Sequence, residues 1–376
     1  MSETVAPTPT NASPRFRGVN LGGWLLLEKW MKPSLFSGMS ALDETTWCVE
    51  LGDLAAERLR EHWATFITKA DFAWIAETGI TVVRIPIGHW ILGPPYPYHG
   101  IYGGKLYPFV VGGIDILDQA FGWAEEYGLQ IVIDLHAAPG CQNGFDNGGI
   151  TNVVDWPTKE EYVSFSVDLL GRLAERYSGS KALYGIQCLN EPRWDIPTDF
   201  LVGYYQRVYE AVRKHCPAER AAIIFHDGFR SHTEYIGAMQ PPTYQNVIFD
   251  VHRYQCFEKS DLEMDIYGHI DKAANLWRKE AGEIQRDLNL RSIVGEWSLG
   301  LDLEVVSLGA LGPFDHALKK LTDYQKNAAL RAYGAAQLLA FEHHHGWFFW
   351  SYRTETTPEW CFRECVERGW LPDNYR

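Results

Sequence analysis

No window of the 376-residue sequence offers about 18 uninterrupted apolar residues, the length that a membrane-crossing helix requires. The nearest approach, around Leu338 to Trp350, is interrupted by Glu342 and by His343 to His345. Basic residues are in deficit, 34 against 48 acidic ones, and the formal net charge of −14 gives a surface that repels phosphate backbones, so nucleic acid is not an expected partner. The start, MSETVAPTPTNASPRF, lacks the basic and apolar regions of a secretory leader and reads as a flexible arm over residues 1–15. As written, the sequence is expected to be cytoplasmic. Secretion stays open if a leader was removed, and only then would Asn11-Ala12-Ser13 serve as a glycosylation sequon. There is no GxGxxG, no GxxxxGK[ST], no GxSxG and no HExxH, which removes the common signatures of nucleotide, serine-hydrolase and zinc-protease chemistry. Seven cysteines make an odd count. Cys361 and Cys365 stand at helical spacing and could meet, but a structural zinc would need a second pair. Cys188 and Cys256 lie in or beside apolar runs and read as small buried hydrophobes. The consecutive His343 to His345 point in different directions and fit a loop ahead of the last strand better than a metal site. No metal and no cofactor is expected, and oligomeric state is open.

What the chain has in excess is aromatic residues: 15 Trp, 19 Tyr and 18 Phe, 14% of the total. Such a content serves either a large core or a cleft that stacks on flat apolar faces such as sugar rings. Eight short, near-continuous apolar runs recur: 16–21, 81–87, 129–136, 184–190, 221–226, 247–254, 291–297 and 346–352. Continuous rather than alternating apolar runs mark strands buried on both faces, as in parallel sheets. Amphipathic helical stretches lie between them, among them 159–177, 199–214 and 271–287. Eight buried strands alternating with helices predict an α/β fold, a (β/α)8 barrel forming a single domain over residues 16–376. A doubly wound sheet would call for a Gly-rich turn after an early strand, which is missing. The long interval 22–80 is expected to place loops and helices over the C-terminal face, with Trp24, Trp30 and Trp47 packed in the core.

Barrel enzymes carry their chemistry at the C-terminal ends of the strands. Those ends read Arg84-Ile85-Pro86, Asp134-Leu135-His136, Asn190-Glu191-Pro192, His252-Arg253-Tyr254, Glu296-Trp297 and Trp350-Ser351-Tyr352. A single glutamate at a strand end is most often a salt-bridge partner or a helix cap. Two of them, Glu191 and Glu296, among His, Arg, Tyr, Asn and Trp at the other ends, supply the carboxyl pair that glycoside hydrolysis requires.

The stretches RGVNLGGWLLLEKWMKPSLF (17–36), VVRIPIGHW (82–90), DLHAAPGCQNGFDNGG (134–149), LNEP (189–192), DVHRYQCF (250–257), GEWS (295–298) and FFWSYRTE (348–355) run in order through about nine-tenths of the chain. In this set the chain resembles glycoside hydrolase family 5, and within it the fungal-type exo-β-1,3-glucanases. The resemblance implies a retaining double displacement with Glu191 as acid/base and Glu296 as nucleophile. It further implies Arg84 and Tyr254 as donors to Glu296, Asn190 at the sugar 2-OH, His136 and His252 around the same sugar, and Trp350 as a stacking floor. Glu28 and Asp146 match positions that grip the terminal glucose, and Phe145 and Phe257 match an aromatic clamp for the next sugar. Glu191 is then expected to keep its proton near neutral pH. The expected partners are β-glucan oligosaccharides or β-glucosides. The alternatives are an endo-β-glucanase, a glucolipid or aryl-β-glucosidase, and a carbohydrate-binding barrel that has lost catalysis.

Overall fold

The structure is a computed structural model and describes residues 15–97, 108–301, 318 and 321–376. The eight apolar runs form strands β1 (Phe16–Asn20), β2 (Val82–Gly88), β3 (Gln130–Ala137), β4 (Leu183–Gln187), β5 (Ala222–His226), β6 (Val247–Arg253), β7 (Arg291–Trp297) and β8 (Gly346–Phe349). Each pairs in parallel with its sequence neighbours, and β8 returns to β1, closing the barrel. The expected fold is therefore the observed one. Except for Arg15, the expected N-terminal arm lies outside the described residues.

Inside the barrel, Phe16, Val82, Val132, Ala222, Ile224, Ile248, Ile293 and Phe348 form an apolar cluster. One pleat further toward the strand C-termini the inward positions turn polar: Asn20, Arg84, Asp134, Gln187 and Asp250 are all fully buried. Alternation along each strand sends these residues to the same face as the apolar cluster. The larger core lies outside the barrel, between strands and helices, and takes up most of the aromatic excess; Trp24, Trp47, Trp156, Trp297 and Trp347 are sealed in it. Trp30 departs from the expectation. It is half-buried, lines a cleft at the C-terminal ends of the strands and meets Trp360 edge to face at 5.3 Å.

The helix Glu160–Tyr177 buries Tyr162, Val163, Ser166, Leu169, Leu170 and Leu173 along one stripe, with Glu160 and Glu161 in its first turn and Arg176 in its last, as the helix dipole favours. The expected helix 271–287 is divided into Ile266–Asp271, a π-helical turn Lys272–Trp277 and Arg278–Leu288. The interval 22–80 supplies Glu28 to the cleft and then the helices Glu44–Leu51, Ala55–Phe66 and Lys69–Glu77. The first turn of the Glu44–Leu51 helix ties two loops together. Glu44 Oε2 accepts the Leu27 N–H at 2.8 Å, and Asp43 Oδ2 accepts both the N–H and the hydroxyl of Thr151 at 2.8 Å. None of the helices among the described residues is long and apolar enough to cross a membrane. The seven cysteines are buried and free. Cys361 and Cys365 donate instead to the carbonyls of Tyr352 and Pro358. His344 is buried against Ser292, His345 reaches Tyr184 and His343 is exposed, so the histidine triplet does diverge just ahead of β8.

Candidate active site

At the C-terminal ends of the strands a cleft of about 1090 Å³ is lined by Glu28, Phe145, Asp146, Glu191, His252, Tyr254, Phe257, Glu296 and Trp350, among others. The local backbone explains how the two glutamates reach it. Regular pairing of β4 stops at Gln187, where the chain bends but stays bonded to its neighbours, with Cys188 N–H on the Ile224 carbonyl at 2.8 Å and Asn190 N–H on that of Leu135 at 2.9 Å. Glu191 then turns with φ +45°, a left-handed conformation that a non-glycine residue adopts only under restraint and that concentrates at functional sites. Glu296 sits where β7 slips in register against both β6 and β8, the kind of irregularity that re-aims a side chain. Gly295 before it accepts no larger residue. An added Cβ would stand 2.3 Å from Asp250 Oδ1, which instead receives the Gly295 N–H at 2.7 Å.

Beneath the glutamates, Arg84 is completely buried and spends its guanidinium on five groups. Nε donates to Gln187 Oε1 at 2.7 Å, Nη1 to Asn20 Oδ1 at 2.8 Å and to Glu296 Oε1 at 3.0 Å, and Nη2 to Asn190 Oδ1 at 2.7 Å, with Asp134 Oδ2 3.1 Å away. Burial alone would weaken its charge, but Asp134, Glu296 and Asp250 raise its pKa above the ordinary value, so it stays a cation. Tyr254 donates its hydroxyl to the other oxygen of Glu296 at 2.8 Å. Burial and the Glu296 charge keep that phenol protonated, well above its usual range. Glu296 thus has one donor on each oxygen.

His252 links the pair. Its Nδ1 lies 2.8 Å from Glu191 Oε1 and 3.5 Å from Glu296 Oε2, and its Nε2 lies 3.3 Å from Asp250 Oδ2. Burial disfavours the imidazolium, yet Glu296, Asp250 and Glu191 outweigh it and raise the pKa of His252 well above the ordinary value. The consequence reverses one expectation. Burial pushes Glu191 up, but the His252 hydrogen bond and charge, with His136 and the Asn147 amide at 3.2 Å, bring it below its ordinary value. Glu296 is raised, because burial and the Glu191 charge outweigh the pull of His252 and Arg84. The two directions, Glu191 down and His252 up, favour a charged pair across their 2.8 Å hydrogen bond.

The other expected residues divide into two groups. His136 and Asn190 are buried under the cleft floor rather than in its lining. His136 Nδ1 lies 2.6 Å from Asp134 Oδ2, its Nε2 faces the Asn190 amide at 3.3 Å, and its ring stacks on Trp350 at 5.2 Å and 6°. Glu28, Asp146, Phe145 and Phe257 do line the cleft. Glu28 Oε2 accepts the Trp30 indole N–H at 2.9 Å, while its buried Oε1 has no partner. Burial and the charge of Asp146 raise the Glu28 pKa well above the ordinary value, and burial together with Asp43 pushes Asp146 up to about 6. Residues given no role in the site from the sequence complete it. Asn147 holds Glu191, Asp134, Gln187 and Asp250 anchor the layer below, and Trp30, Trp194, Phe229, Arg230 and Trp360 line the cleft. Asp134 and Asp250 stand two residues before His136 and His252, so the two-residue strand period would have found them.

Glu191, His226 and His252 bring one ligand atom each within 4.8 Å of one another, close enough for a cation. Their donor states do not suit one. His226 Nδ1 accepts the Gly228 N–H at 2.9 Å, which puts the ring hydrogen on Nε2 and leaves that ring no free lone pair to offer.

The sequence model of the cellulase family (glycosyl hydrolase family 5) matches residues 48–353. A probable glucan 1,3-beta-glucosidase A of Emericella nidulans is 36% identical over an alignment covering 98% of this chain and 92% of the relative. A glucan 1,3-beta-glucosidase of Candida oleophila is 36% identical, covering 95% and 88%. Among solved structures, the rutinosidase from Aspergillus niger superposes with a TM-score of 0.76 at 22% identity, covering 96% of this chain and 98% of that one. Endo-glycoceramidase II from Rhodococcus sp. gives 0.57 at 17%, covering 97% and 76%, and both share the barrel fold. With the family model spanning most of the chain and relatives matched over nearly all of it, the chain belongs to glycosyl hydrolase family 5 and is a glycoside hydrolase.

Proposed function

We propose that the chain is a retaining, exo-acting β-glucosidase that releases glucose from the non-reducing end of β-1,3-linked glucans or related β-glucosides, with Glu296 as nucleophile and Glu191 as acid/base. The observation that carries this reading is the shared His252. An oxygen of each carboxylate lies within 3.5 Å of one nitrogen, a close approach that suits the retaining spacing of about 5 Å better than the roughly 6.5–9.5 Å opening of an inverting pair. Glu296, held by Arg84 and Tyr254, attacks the anomeric carbon. The cluster proton passes from His252 Nδ1 to Glu191 and on to the departing oxygen. Glu191 then takes a proton from the water that cleaves the glycosyl-enzyme. Support for exo action comes from two carboxyls at the cleft, the buried Glu28 and the half-buried Asp146, with the unpartnered Glu28 Oε1 left to hydrogen-bond a substrate hydroxyl. Support for the β-1,3 linkage comes from the relatives named glucan 1,3-beta-glucosidase.

Product analysis on β-1,3-, β-1,4- and β-1,6-linked glucans tests the reading. Glucose is expected as the sole early product, first released as the β-anomer. Mixed oligosaccharides, or the α-anomer first, contradict it. The proton account makes its own prediction. His252 faces Glu191, Glu296, Asp250 and the neutral His226, and its raised pKa sets the upper titration of the cluster. In His252→Asn that titration falls to Glu191 beside Glu296, so the alkaline limb of kcat/KM is expected to move to lower pH. An unchanged limb in the pH–rate profile contradicts the assignment of the proton to His252.

A further inference from the structure

We propose that Trp194 is the binding platform for a second leaving-side sugar, one unit beyond the first sugar past the scissile bond. The inference rests on the glycosidase reading above and adds a recognition site to it. Of the 15 tryptophans, all within the described residues, Trp194 alone is exposed, at 58%. It lies three residues after Glu191 and lines the same cleft.

An indole left in water on a loose loop could fold back onto the protein. The backbone that carries this one is held from three sides. Arg193 and Asp195, its chain neighbours, pair in a fork at 2.6 and 2.8 Å. The Ile196 N–H closes a turn onto the Arg193 carbonyl at 3.1 Å, and the Arg193 N–H bonds Gln142 at 3.1 Å. From the loop after β5, Arg230 Nη2 donates to the Trp194 carbonyl at 2.7 Å and also to the Ile196 carbonyl. Such bracing lowers the loop-ordering cost that a ligand would otherwise meet on binding. The occupant follows from what shares the cleft. A flat indole face suits the C–H face of a pyranose, and Glu258 and Glu283 in the same lining offer carboxylates to its hydroxyl groups.

The test compares the native chain with Trp194→Ala and Trp194→Phe on glucose oligomers of two to five units, in whichever β-linkage the native chain cleaves. The ratio of kcat/KM for the trisaccharide to that for the disaccharide is expected to fall about tenfold in Trp194→Ala, through KM, the loss of one aromatic platform; Trp194→Phe should recover most of it. An equal loss on both oligomers would show only a disturbed Glu191 loop. No loss, or a loss confined to glucosides with apolar aglycones, would also overturn the proposal. Calorimetric titration of Glu296→Ala with the two oligomers, with and without Trp194→Ala, reads the same size dependence without turnover. If the native chain cleaves no oligomer, the exo-glucanase reading fails and this binding comparison still decides the platform.

Discussion

Glu296→Ala is expected to slow turnover about 10⁴-fold or more, because the first bond to the sugar has no other nucleophile to form it. The fold should survive the change. Arg84 would keep Asp134 at 3.1 Å as a counter-charge and its bonds to Gln187, Asn20 and Asn190, so no isolated buried cation results. Thermal unfolding near that of the native chain, together with lost hydrolysis, would separate chemistry from collapse. Azide supplied to this variant should enter the space the carboxylate leaves and attack the face opposite the leaving group, giving an α-glucosyl azide. Hydrolysis within tenfold of the native rate would remove Glu296 from the proposed role.

Glu191→Ala is expected to produce the second-largest loss, and one that depends on the leaving group. For a glucan or alkyl glucoside, whose departing oxygen must receive a proton, kcat/KM should fall about 10²–10⁴-fold, the usual weight of a positioned acid. For a glucoside with a strongly acidic phenol as leaving group the first step needs little proton transfer, so kcat/KM should fall much less, and the glycosyl-enzyme should accumulate for want of a base. Azide then captures that intermediate from the side Glu191 vacated and yields a β-glucosyl azide. Opposite anomers from the two variants would distinguish the two carboxylates by role. Equal losses on both leaving groups would contradict the acid/base assignment.

The barrel was legible because continuous apolar runs bounded by polar turns leave parallel strands little alternative. The strand ends were less so. The runs 184–190 and 346–352 outlast β4 and β8 because the backbone, though it bends, stays bonded past the regular ladder, as Asn190 N–H to the Leu135 carbonyl and Trp350 N–H to that of Trp297 show. Both glutamates and most of their neighbours were readable at those ends. The polar layer beneath them was readable in principle, since Asp134 and Asp250 obey the strand period. What no pattern carries is the charge state. It depends on His252 lying within 3.5 Å of three carboxylates, two of them on other strands' ends, and that closeness exists only after the barrel closes. Trp194 was hidden for a related reason. A tryptophan in a loop has no period, and only its exposure in the folded chain sets it apart from fourteen others.

The central claim, a covalent displacement through Glu296, is tested most directly by trapping. A 2-deoxy-2-fluoro-β-glucoside with an activated leaving group slows the second step more than it prevents the first, so the intermediate persists for mass analysis. One fluoroglucosyl unit is expected on the native chain, located by fragmentation on Glu296 within the β7 segment 291–297, and none on Glu296→Ala. Label on a different residue, or turnover with an inverted product and no adduct, would contradict the account.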